Sequence, residues 1–414
     1  MSVKGFLRAV WWAILGLSVL TAIADADGGP YTNTIMHPDR ETRLEWIRDF
    51  EAAPPAHTDD VLRFHMPLRG SLSLLGHLDY IPAERDQGAC GNCWAWAGTG
   101  AMGIALNVEE NVFDRLSVQF ISLCNAAQPC CEGGWLRDLA SFYSFEGYAI
   151  PWSNNNADWR NGDGNCNGAC EEIATFPDYP IQSITAESIL THGVGRAQAI
   201  SNIKNLLNQN RAVWFGCFMG TQEDWDRFYT FWNTQSEAAL WNFDSSCDKP
   251  YTSAGGGHAV LCVGYDDTDP ENSYWIMLNS WGTTAGRPNG LFRVDMDMNY
   301  DCMDLDWEYN LYWQTLDIEF DIEDFVLYVD PSASCGGHAP CYPAIQEAID
   351  AAGSTATLRI AEGRYHEALA LNSGKTLTLE GGWDISFTTQ SSSTTIDALT
   401  VTGGSVTVEY INCQ

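Results

Sequence analysis

The chain has 414 residues, of which 45% are hydrophobic and 18% charged, and its 54 acidic and 21 basic side chains give a net charge of −33. This composition is typical of globular proteins and excludes a chain that is disordered over most of its length. Its strong negative charge would repel a phosphate backbone, so we expect no nucleic-acid partner. The length predicts one to three domains of about 100–200 residues each.

The N-terminus has the pattern of a secretory signal peptide. Two basic residues, Lys4 and Arg8, precede an apolar run over residues 9–20, and small residues follow. The run is shorter than the ~20 apolar residues of a membrane-spanning helix. We therefore predict a cleaved signal peptide at residues 1–24 and an exported protein, secreted or periplasmic, with no membrane contact after cleavage. Export makes disulfides the default state of paired cysteines, of which the chain has 14 in total.

Residues 25–75 form a polar lead to the rest of the chain. Apolar spacing predicts one helix in it, from Asp39 to Phe50. The helix is expected to end before Pro54 and Pro55, because proline does not continue a helix.

The next informative stretch, Gln87–Trp96, contains Cys90 and Cys93 and allows three interpretations. A redox site would use both sulfurs. A zinc site would need a second ligand pair at suitable spacing, which the adjacent Cys130 and Cys131 do not offer, so we expect no metal and no cofactor. The third interpretation has one nucleophilic and one structural cysteine. It requires an imidazole, a group that orients the imidazole, and donors for an oxyanion.

Residues of these kinds are present elsewhere in the chain. His258 stands at the start of an apolar strand and Asn279 at the end of the next, so a hairpin would bring them together. Gln87 precedes Cys93 closely enough to share its turn. A helix predicted over Trp94–Asn107 places the cysteine at a helix N-terminus, where the dipole and an imidazolium can lower a thiol pKa from ~8.5 to ~3.5–7.5.

The C-terminal part differs in pattern from the rest. After a connector at residues 318–334, a helix is predicted over Tyr342–Ala352 and is followed by short strands with glycines between them. Short strands at regular spacing predict a β-solenoid or a sandwich, which we place at residues 335–414. The predicted strands are residues 357–360, 368–371, 375–379, 399–402 and 405–408.

The segments Gln87–Trp96, His258–Val260 and Asn279–Gly282, in this order, resemble the papain family of cysteine peptidases. The resemblance implies an α+β, two-lobed papain-like fold at residues 76–317, with a helical lobe and a β-barrel-like lobe, that hydrolyses a polypeptide substrate. In the family, the histidine and asparagine follow the nucleophile by ~130–150 residues. Both come later here, which predicts an insertion. Part of it, Asn161–Cys166, is similar to a calcium loop but lacks the glycine needed at the sixth position, so we interpret it as a disulfide-bearing loop.

The resemblance assigns a role to each matching residue. Cys93 is the nucleophile, His258 its proton partner, and Asn279 the group that orients the imidazole. Gln87 and the backbone N–H of Cys93 would form the oxyanion hole. Trp281 would cover the contact between the histidine and the asparagine and exclude water from it.

Substrate-binding glycines and a disulfide frame are also implied. Gly133 and Gly134 would bind the substrate backbone as an added strand, since glycine lets another backbone approach closely. Separately, the spacing of Cys335 and Cys341 around two glycines predicts a local disulfide loop. By resemblance the other pairs are Cys90–Cys131, Cys247–Cys302 and Cys124 with either Cys166 or Cys170, while the apolar surroundings of Cys217 and Cys262 predict buried thiols.

The C-terminal part has a resemblance of its own. Ala344–Ile349 and Ala361–Tyr365 resemble the opening of a pectin-lyase-like parallel β-helix. A solenoid needs roughly three repeats for stability, so we predict a truncated or capped β-solenoid-like module. The resemblance suggests a polysaccharide or cell-surface ligand for it.

We therefore predict a secreted cysteine endopeptidase that forms a thioester on Cys93. The alternative is an inactive peptidase-like protein that binds a surface or polysaccharide through its C-terminal module. A thiol oxidoreductase would instead show two reactive thiols, Cys90 and Cys93. We interpret residues 25–75 as an N-terminal lead or a short pro-segment. The segment is short for the family's inhibitory pro-segment and lacks its helical signature, so activation by its removal is not expected, although it could still occupy the cleft.

Overall fold

The computed structural model describes most of the chain after the predicted signal peptide, which itself lies outside the described residues. The described part packs as one unit. None of its helices is both long and apolar enough to cross a bilayer. The described residues are 34–59, 69–110, 112–321, 326–338, 340–352, 355–372 and 375–414.

One described α-helix lies in the lead segment, five lie in the central part and one near the C-terminus. The predicted helix after Cys93 is confirmed and extends three residues further than expected. The helices are α1 (Arg40–Ala52), α2 (Cys93–Glu110), α3 (Val118–Cys124), α4 (Leu136–Glu146), α5 (Arg196–Asn208), α6 (Gln222–Thr234) and α7 (Ile345–Ala351).

A large sheet forms the second layer of the central part, and α2 packs across its strands β4, β6 and β9. The strands are β1 (Ser71–Ser73), β2 (Tyr148–Ala149), β3 (Tyr179–Ser188), β4 (Val213–Met219), β5 (Leu240–Trp241), β6 (Gly256–Asp266), β7 (Tyr274–Leu278), β8 (Leu291–Asp295) and β9 (Leu311–Phe320). Their order is β2-β3-β9-β4-β6-β7-β8-β5, with β1 beside β6. Neighbours are antiparallel, except that β5 is parallel to β8. Nearly all side chains of α2 are apolar or small, which suits a helix that is buried on most sides.

The lead helix α1 packs on this central part. The ring of Trp46 stacks on Trp135 with centroids 5.7 Å apart, and Phe50 meets the edge of Tyr312 at 5.0 Å. The helix confirms the sequence prediction to within two residues at each end. Its buried aromatic face fixes the lead segment against the sheet.

The C-terminal part consists of short strands that all pair in parallel. Their order is β11-β10-β12-β15-β18 in one sheet, β13-β16-β19 in a second and β14-β17 in a third. All five strands that the sequence predicted are confirmed, and α7 covers the middle of the predicted helix. The strands are β10 (Val326–Val329), β11 (Cys341–Tyr342), β12 (Thr355–Ala361), β13 (Gly363–Arg364), β14 (Ala368–Leu371), β15 (Thr376–Trp383), β16 (Thr394–Ile396), β17 (Ala398–Val401), β18 (Ser405–Glu409) and β19 (Ile411–Cys413).

A ladder of apolar residues forms the core of this part. Leu327, Leu358 and Leu379 occupy matching positions on β10, β12 and β15, and each is fully buried. The next position of the ladder, Val408 on β18, is 46% exposed. The ladder thus becomes exposed at its last described strand.

The segment 318–334, which we expected to be a connector, contains the end of β9 and all of β10. With only four residues, β10 is too short for its alternation to stand out in the sequence. Its parallel pairing with β12 makes it a strand, because long-range hydrogen bonding satisfies its backbone groups.

Five disulfides join the described cysteines and include each pair expected by resemblance or spacing. Cys124 pairs with Cys170, and Cys166, its other candidate partner, pairs with Cys130. The remaining pairs are Cys90–Cys131, Cys247–Cys302 and Cys335–Cys341, and the free thiols are Cys93, Cys217 and Cys262, all buried, and Cys413, which is exposed.

Candidate active site

Cys93 is the first residue of α2 and is fully buried where this helix meets β6. Its Sγ accepts a hydrogen bond from the backbone N–H of Ala259 at 3.4 Å. Ala259 directly follows His258 in β6. The structure therefore places the thiol beside the strand that carries the histidine, although the two lie far apart in the sequence.

His258 and Asn279 are joined by a hydrogen bond of 2.8 Å between Nε2 and Oδ1. The same Oδ1 accepts the backbone N–H of Ser280 at 2.8 Å, so the histidine nitrogen that faces it must be the donor. Nδ1 is then the basic nitrogen, and it has no hydrogen-bond partner among the described residues. The imidazole is thus held in a tautomer that can accept a proton from a thiol.

The indole of Trp281 covers this pair. Its ring centroid lies 4.6 Å from that of His258, with the two planes tilted by 32°. Trp281 is itself buried. This is the position in which the ring would exclude water from the contact between the histidine and Asn279.

Gln87 lies in the turn before α2 and is held by Ser280. The Ser280 hydroxyl donates to Oε1 at 2.6 Å, and the backbone N–H of Gln87 donates to the Ser280 carbonyl at 2.7 Å. The Nε2 group then donates to the carbonyl oxygens of Cys90 at 2.8 Å and Thr34 at 3.0 Å. The Thr34 carbonyl of the lead segment thus accepts the hydrogen bond that Gln87 Nε2 would have to donate to an oxyanion.

Residues 34–37 of the lead segment lie against β6 beside His258. Met36 and Gly257 exchange two backbone hydrogen bonds of 2.8 Å each, as in an antiparallel sheet. Gly257 immediately precedes His258. Residues 34–37 of the lead therefore lie in the cleft.

The covered site is buried, and this burial determines the protonation of its two reactive groups. It raises the pKa of Cys93 to about 12 and lowers the pKa of His258 to about 4. The sequence analysis expected a lowered thiol pKa from the helix dipole and an imidazolium. In the covered site, the loss of solvation outweighs the backbone hydrogen bonds that lower the pKa of Cys93. Both groups are therefore neutral near pH 7, and the thiol is a weak nucleophile in this state.

Gly133 and Gly134 lie beside the same cleft. Gly133 has a φ of +102°, and a Cβ added there would be 3.2 Å from the Cβ of Met36. A Cβ on Gly134 would be 2.5 Å from the ring of Trp94. Both positions thus require glycine for steric reasons, and Gly133 lies directly against the lead segment.

The predicted insertion braces the turn that carries Gln87. The carbonyl of Gly162 accepts the backbone N–H of Ala89 at 2.8 Å. Trp159 meets the edge of Trp96 on α2 with centroids 5.5 Å apart. The loop therefore supports both the turn and the helix.

Two supporting residues were missed by the sequence analysis, and the first is Ser280, described above. The second, Arg85, is buried and donates to the carbonyls of Asn279 at 3.2 Å and Trp96 at 2.8 Å. Burial lowers the pKa of Arg85 to about 9. The sequence shows only that an arginine stands two residues before Gln87. This position does not distinguish a buried arginine from one on the surface.

The structure does not support a dithiol or zinc site at Cys90. Cys90 is bonded to Cys131, so it is not a second thiol beside Cys93. Among the described residues, one group of three side chains has atoms close enough to hold a metal ion, namely Cys90, Cys130 and Cys131. All three are in disulfides and offer no thiolate.

Comparison with known proteins gives matches to the central part of the chain. The "Viral cathepsin" of Adoxophyes honmai nucleopolyhedrovirus is 28% identical over 225 residues, which cover 53% of this chain and 55% of that protein. The cathepsin B-like CP3 of Giardia intestinalis is 24% identical over 230 residues, 52% of this chain and 64% of that protein. The chain thus spans less than two thirds of the length of these relatives. Among solved structures, proCathepsin B S9 from Trypanosoma congolense has a TM-score of 0.47 at 15% identity, and the match covers 67% of this chain and 86% of that one.

The family model described as papain family cysteine protease matches residues 77–211 and 232–306. These two ranges include Gln87, Cys93, His258 and Asn279, the four residues that the fold brings to one site. They also amount to half of the chain. The chain therefore belongs to the papain family of cysteine proteases.

Proposed function

We propose that this chain is a secreted cysteine endopeptidase that is held inactive by its own lead segment. The observation that carries the proposal is the arrangement of Cys93 at the start of α2, with its sulfur on the backbone of Ala259 and the oriented His258 imidazole one residue away. No redox partner for Cys93 is needed to explain this arrangement. A nucleophile, a base and an orienting amide suit acyl transfer.

In the proposed reaction, His258 Nδ1 takes the proton of the Cys93 thiol, and the resulting thiolate attacks the carbonyl carbon of the scissile peptide bond. The negative oxygen that develops accepts hydrogen bonds from Gln87 Nε2 and the backbone N–H of Cys93. The C–N bond then breaks, His258 gives its proton to the leaving amine, and a thioester remains on the sulfur. His258 next takes a proton from water, the resulting hydroxide attacks the thioester, and the acid leaves as the thiol is restored.

Three features of the covered state support latency. The Thr34 carbonyl occupies the Gln87 donor, Met36 occupies the edge of β6, and burial keeps Cys93 and His258 neutral. A substrate strand cannot pair at the same edge while Met36 is there. The part of the lead that contains Thr34, Met36 and α1 must therefore leave before hydrolysis, which supports a short pro-segment within residues 25–75.

Export is supported by the signal-like N-terminus and by the disulfides, since structural disulfides persist in oxidising compartments. For the C-terminal part, we propose a β-solenoid. Its support is the all-parallel pairing and the buried ladder of leucines. A polysaccharide or cell-surface ligand for this module rests on the resemblance alone.

The alternative function, an inactive surface-binding protein, is less well supported because Cys93, His258, Asn279 and Gln87 are all in place.

Labelling with an epoxysuccinyl active-site probe, followed by peptide mass mapping, tests the proposal. A recognition sequence for a site-specific protease replaces residues 62–68, and Cys413→Ser removes the exposed thiol. After the chain has folded with its lead in place, it is cut and the lead is removed by gel filtration. We call the product the processed chain.

The processed chain is expected to form one adduct, on Cys93, and the uncut chain to react much more slowly. The adduct is expected to be lost in His258→Ala. If the processed chain forms no adduct and hydrolyses no peptide, the catalytic proposal is wrong. Equal labelling before and after the cut would contradict latency, and adducts on both Cys90 and Cys93 would support the redox alternative.

A further inference from the structure

One disulfide that faces solvent ties down the loop of residues 159–166, which we call the insertion loop. This bond joins Cys166 to Cys130. Of the cysteines in the five described disulfides, Cys166 alone is exposed, and the other residues of the run 165–169 are exposed as well. Access decides which sulfur a thiol attacks. A thiol in solution can therefore reach Cys166, whereas the sulfurs of the other described pairs are at least partly shielded.

Two side chains donate to the Cys130 sulfur, the other half of this bond. Nδ2 of Asn161 lies 3.2 Å from Cys130 Sγ, and the hydroxyl oxygen of Ser122 lies 3.4 Å from it. A disulfide sulfur carries no proton and is a weak acceptor, so both groups must be the donors. Asn161 is fully buried and Ser122 is 5% exposed. Donors shielded from water are thus in place where a thiolate would form on Cys130.

The exposed sulfur and the two donors indicate how thiol–disulfide exchange would proceed at this bond. A thiolate R–S⁻ attacks Cys166 Sγ, the S–S bond breaks, and its electron pair leaves on Cys130 Sγ, where the donors stabilise it. A second R–S⁻ attacks the R sulfur of the mixed disulfide on Cys166, so that R–S–S–R forms and the Cys166 thiolate leaves. The two cysteines take up the protons that the two thiols lost. A lower pKa of the leaving thiol speeds such a reaction, which favours Cys130 as the first leaving group.

The insertion loop also covers the turn that carries Gln87. The Gly162 carbonyl accepts the backbone N–H of Ala89 at 2.8 Å, and a Cβ added to Gly164 would lie 3.1 Å from the Ala89 carbonyl oxygen. Both glycines stand within four residues of Cys166, so the disulfide helps to hold this part of the loop against the turn. When the bond opens, only noncovalent contacts hold it there. Water then competes for the Ala89 N–H, two residues after Gln87.

We propose that the Cys130–Cys166 disulfide is a site of reversible reduction by a low-molecular-weight thiol, and that its reduction lowers the turnover of the peptidase by loosening the Gln87 turn. This inference rests on the proposed function. Reduction acts on Cys93 with the opposite sign, because only its free thiol can give the nucleophile. The enzyme is thus most active in an intermediate range, in which Cys93 is reduced and the Cys130–Cys166 bond is still closed.

Glutathione buffers with an increasing ratio of thiol to disulfide test the proposal on the processed chain. At each ratio, alkylation and peptide mass mapping give the reduced fraction of every disulfide, and titration with the epoxysuccinyl probe gives the concentration of reduced Cys93. As Cys130–Cys166 opens, kcat per titrated Cys93 is expected to fall about 3- to 10-fold, less than the ~10²–10³-fold for loss of an oxyanion donor. KM is expected to change less than kcat.

The double variant Cys130→Ser, Cys166→Ser mimics the open bond. It is expected to have the low kcat at every ratio and to show no further fall. The matched control, Cys335→Ser with Cys341→Ser, removes a disulfide of the C-terminal part and is expected to keep the wild-type profile. If the first double variant does not fold, Ser122→Ala keeps the bond and removes one donor to the Cys130 sulfur. The rate constant for reduction of this disulfide is then expected to fall about 2- to 10-fold.

Full opening of this disulfide with an unchanged kcat would overturn the proposal, and so would a bond that reduced glutathione alone leaves closed. A fall in kcat that appears only when Cys90–Cys131 opens would assign the effect to that other bond. Failure of the peptidase proposal is a separate result, because it leaves Cys93 without an adduct. In that case, hydrogen exchange at the Ala89 amide of the processed Cys93→Ser chain still decides. Reduction must speed this exchange, and an unchanged rate would contradict the coupling.

Discussion

Single side chains at the active site depend on neighbours that no motif names. Ser280 holds Gln87 by its hydroxyl and carbonyl and orients Asn279 by its N–H. One serine thus positions both Gln87, the proposed oxyanion donor, and the Asn279 amide that is hydrogen-bonded to the imidazole of His258. Catalytic geometry is therefore expected to be sensitive to Ser280 as well as to the residues that touch the substrate.

The first prediction concerns the oxyanion donor. In the processed chain, Gln87→Ala is expected to lower kcat by about 10²–10³-fold with a smaller change in KM, because a donor acts mainly on the transition state. Steady-state kinetics on one peptide measure this effect. Ser280→Ala keeps Gln87 but removes the hydroxyl that donates to its Oε1, and it is expected to have a smaller effect on kcat. A Gln87→Ala enzyme with unchanged kcat would exclude the side chain from the oxyanion hole.

The second prediction concerns pH. Burial lowers the pKa of His258 from its ordinary value of 6.5 to about 4, so a state in which water reaches the imidazole binds more protons than the covered one between these two values. The covered state is therefore favoured above about pH 6.5, and this advantage is lost as the pH falls towards 4. In an uncut Cys93→Ser chain, hydrogen-exchange protection of α1, corrected for intrinsic rates, is expected to fall over this range. The dependence is expected to weaken in His258→Asn; the same profile in both chains would assign the effect to other groups.

Among the elements, α1 contributes most to the covered state. Its aromatic face packs on the sheet, while residues 34–37 of the lead lie in the cleft. Residues 34–37 make hydrogen bonds with Gly88, Gln87 and Gly257, and the helix adds the packing of its aromatic face. In the proposed latent state, the packing of α1 therefore matters as much as the contacts that residues 34–37 make beside Cys93.

The third prediction is that Trp46→Ala weakens this packing in the uncut chain. Removal of a buried tryptophan costs about 3–5 kcal/mol, which raises the population of the uncovered state. The rate at which the epoxysuccinyl probe labels Cys93 is expected to rise by at least about tenfold, since 1.4 kcal/mol corresponds to a factor of ten in population. Arg48→Ala, an exposed position on the same helix, should leave the rate unchanged. If both variants label at the wild-type rate, α1 does not control access to the cleft.

At the scale of the whole molecule, the central part and the C-terminal part each have buried apolar residues of their own. The core around Leu358 and Leu379 is made only of residues from Leu327 onward, so the C-terminal part has a core separate from the catalytic one. The two parts nevertheless belong to one packed unit. Damage to the C-terminal core is therefore expected to reduce stability there without changing the chemistry at Cys93.

The fourth prediction compares two positions of the leucine ladder. Leu379→Ala removes a fully buried side chain and is expected to cost about 2–5 kcal/mol. Val408→Ala, the neighbouring position at 46% exposure, is expected to cost less than about 0.5 kcal/mol. Urea titrations with hydrogen exchange over residues 355–383 measure both. The rate at which the probe labels Cys93 in the processed chain is expected to be the same for the two variants. Slower labelling in Leu379→Ala would show that damage to the C-terminal core reaches the catalytic part.

By itself, the sequence determined the elements with strong local patterns. The helix after Cys93, the apolar strand that begins near His258, the lead helix and the short C-terminal strands all follow from residue periodicity and turn residues, which are local properties. It also identified Gln87 and Asn279, because their neighbours form recognisable motifs.

Only the tertiary structure determined which elements contact and pair with one another. It placed the lead in the cleft, chose Cys170 as the partner of Cys124, and made β10 a strand through its pairing with β12. It also reversed the expected shift of the Cys93 pKa, because the local helix dipole favours the thiolate whereas burial by distant residues opposes it. Solvation and long-range pairing depend on residues far apart in the chain, and for that reason a local pattern in the sequence does not contain them.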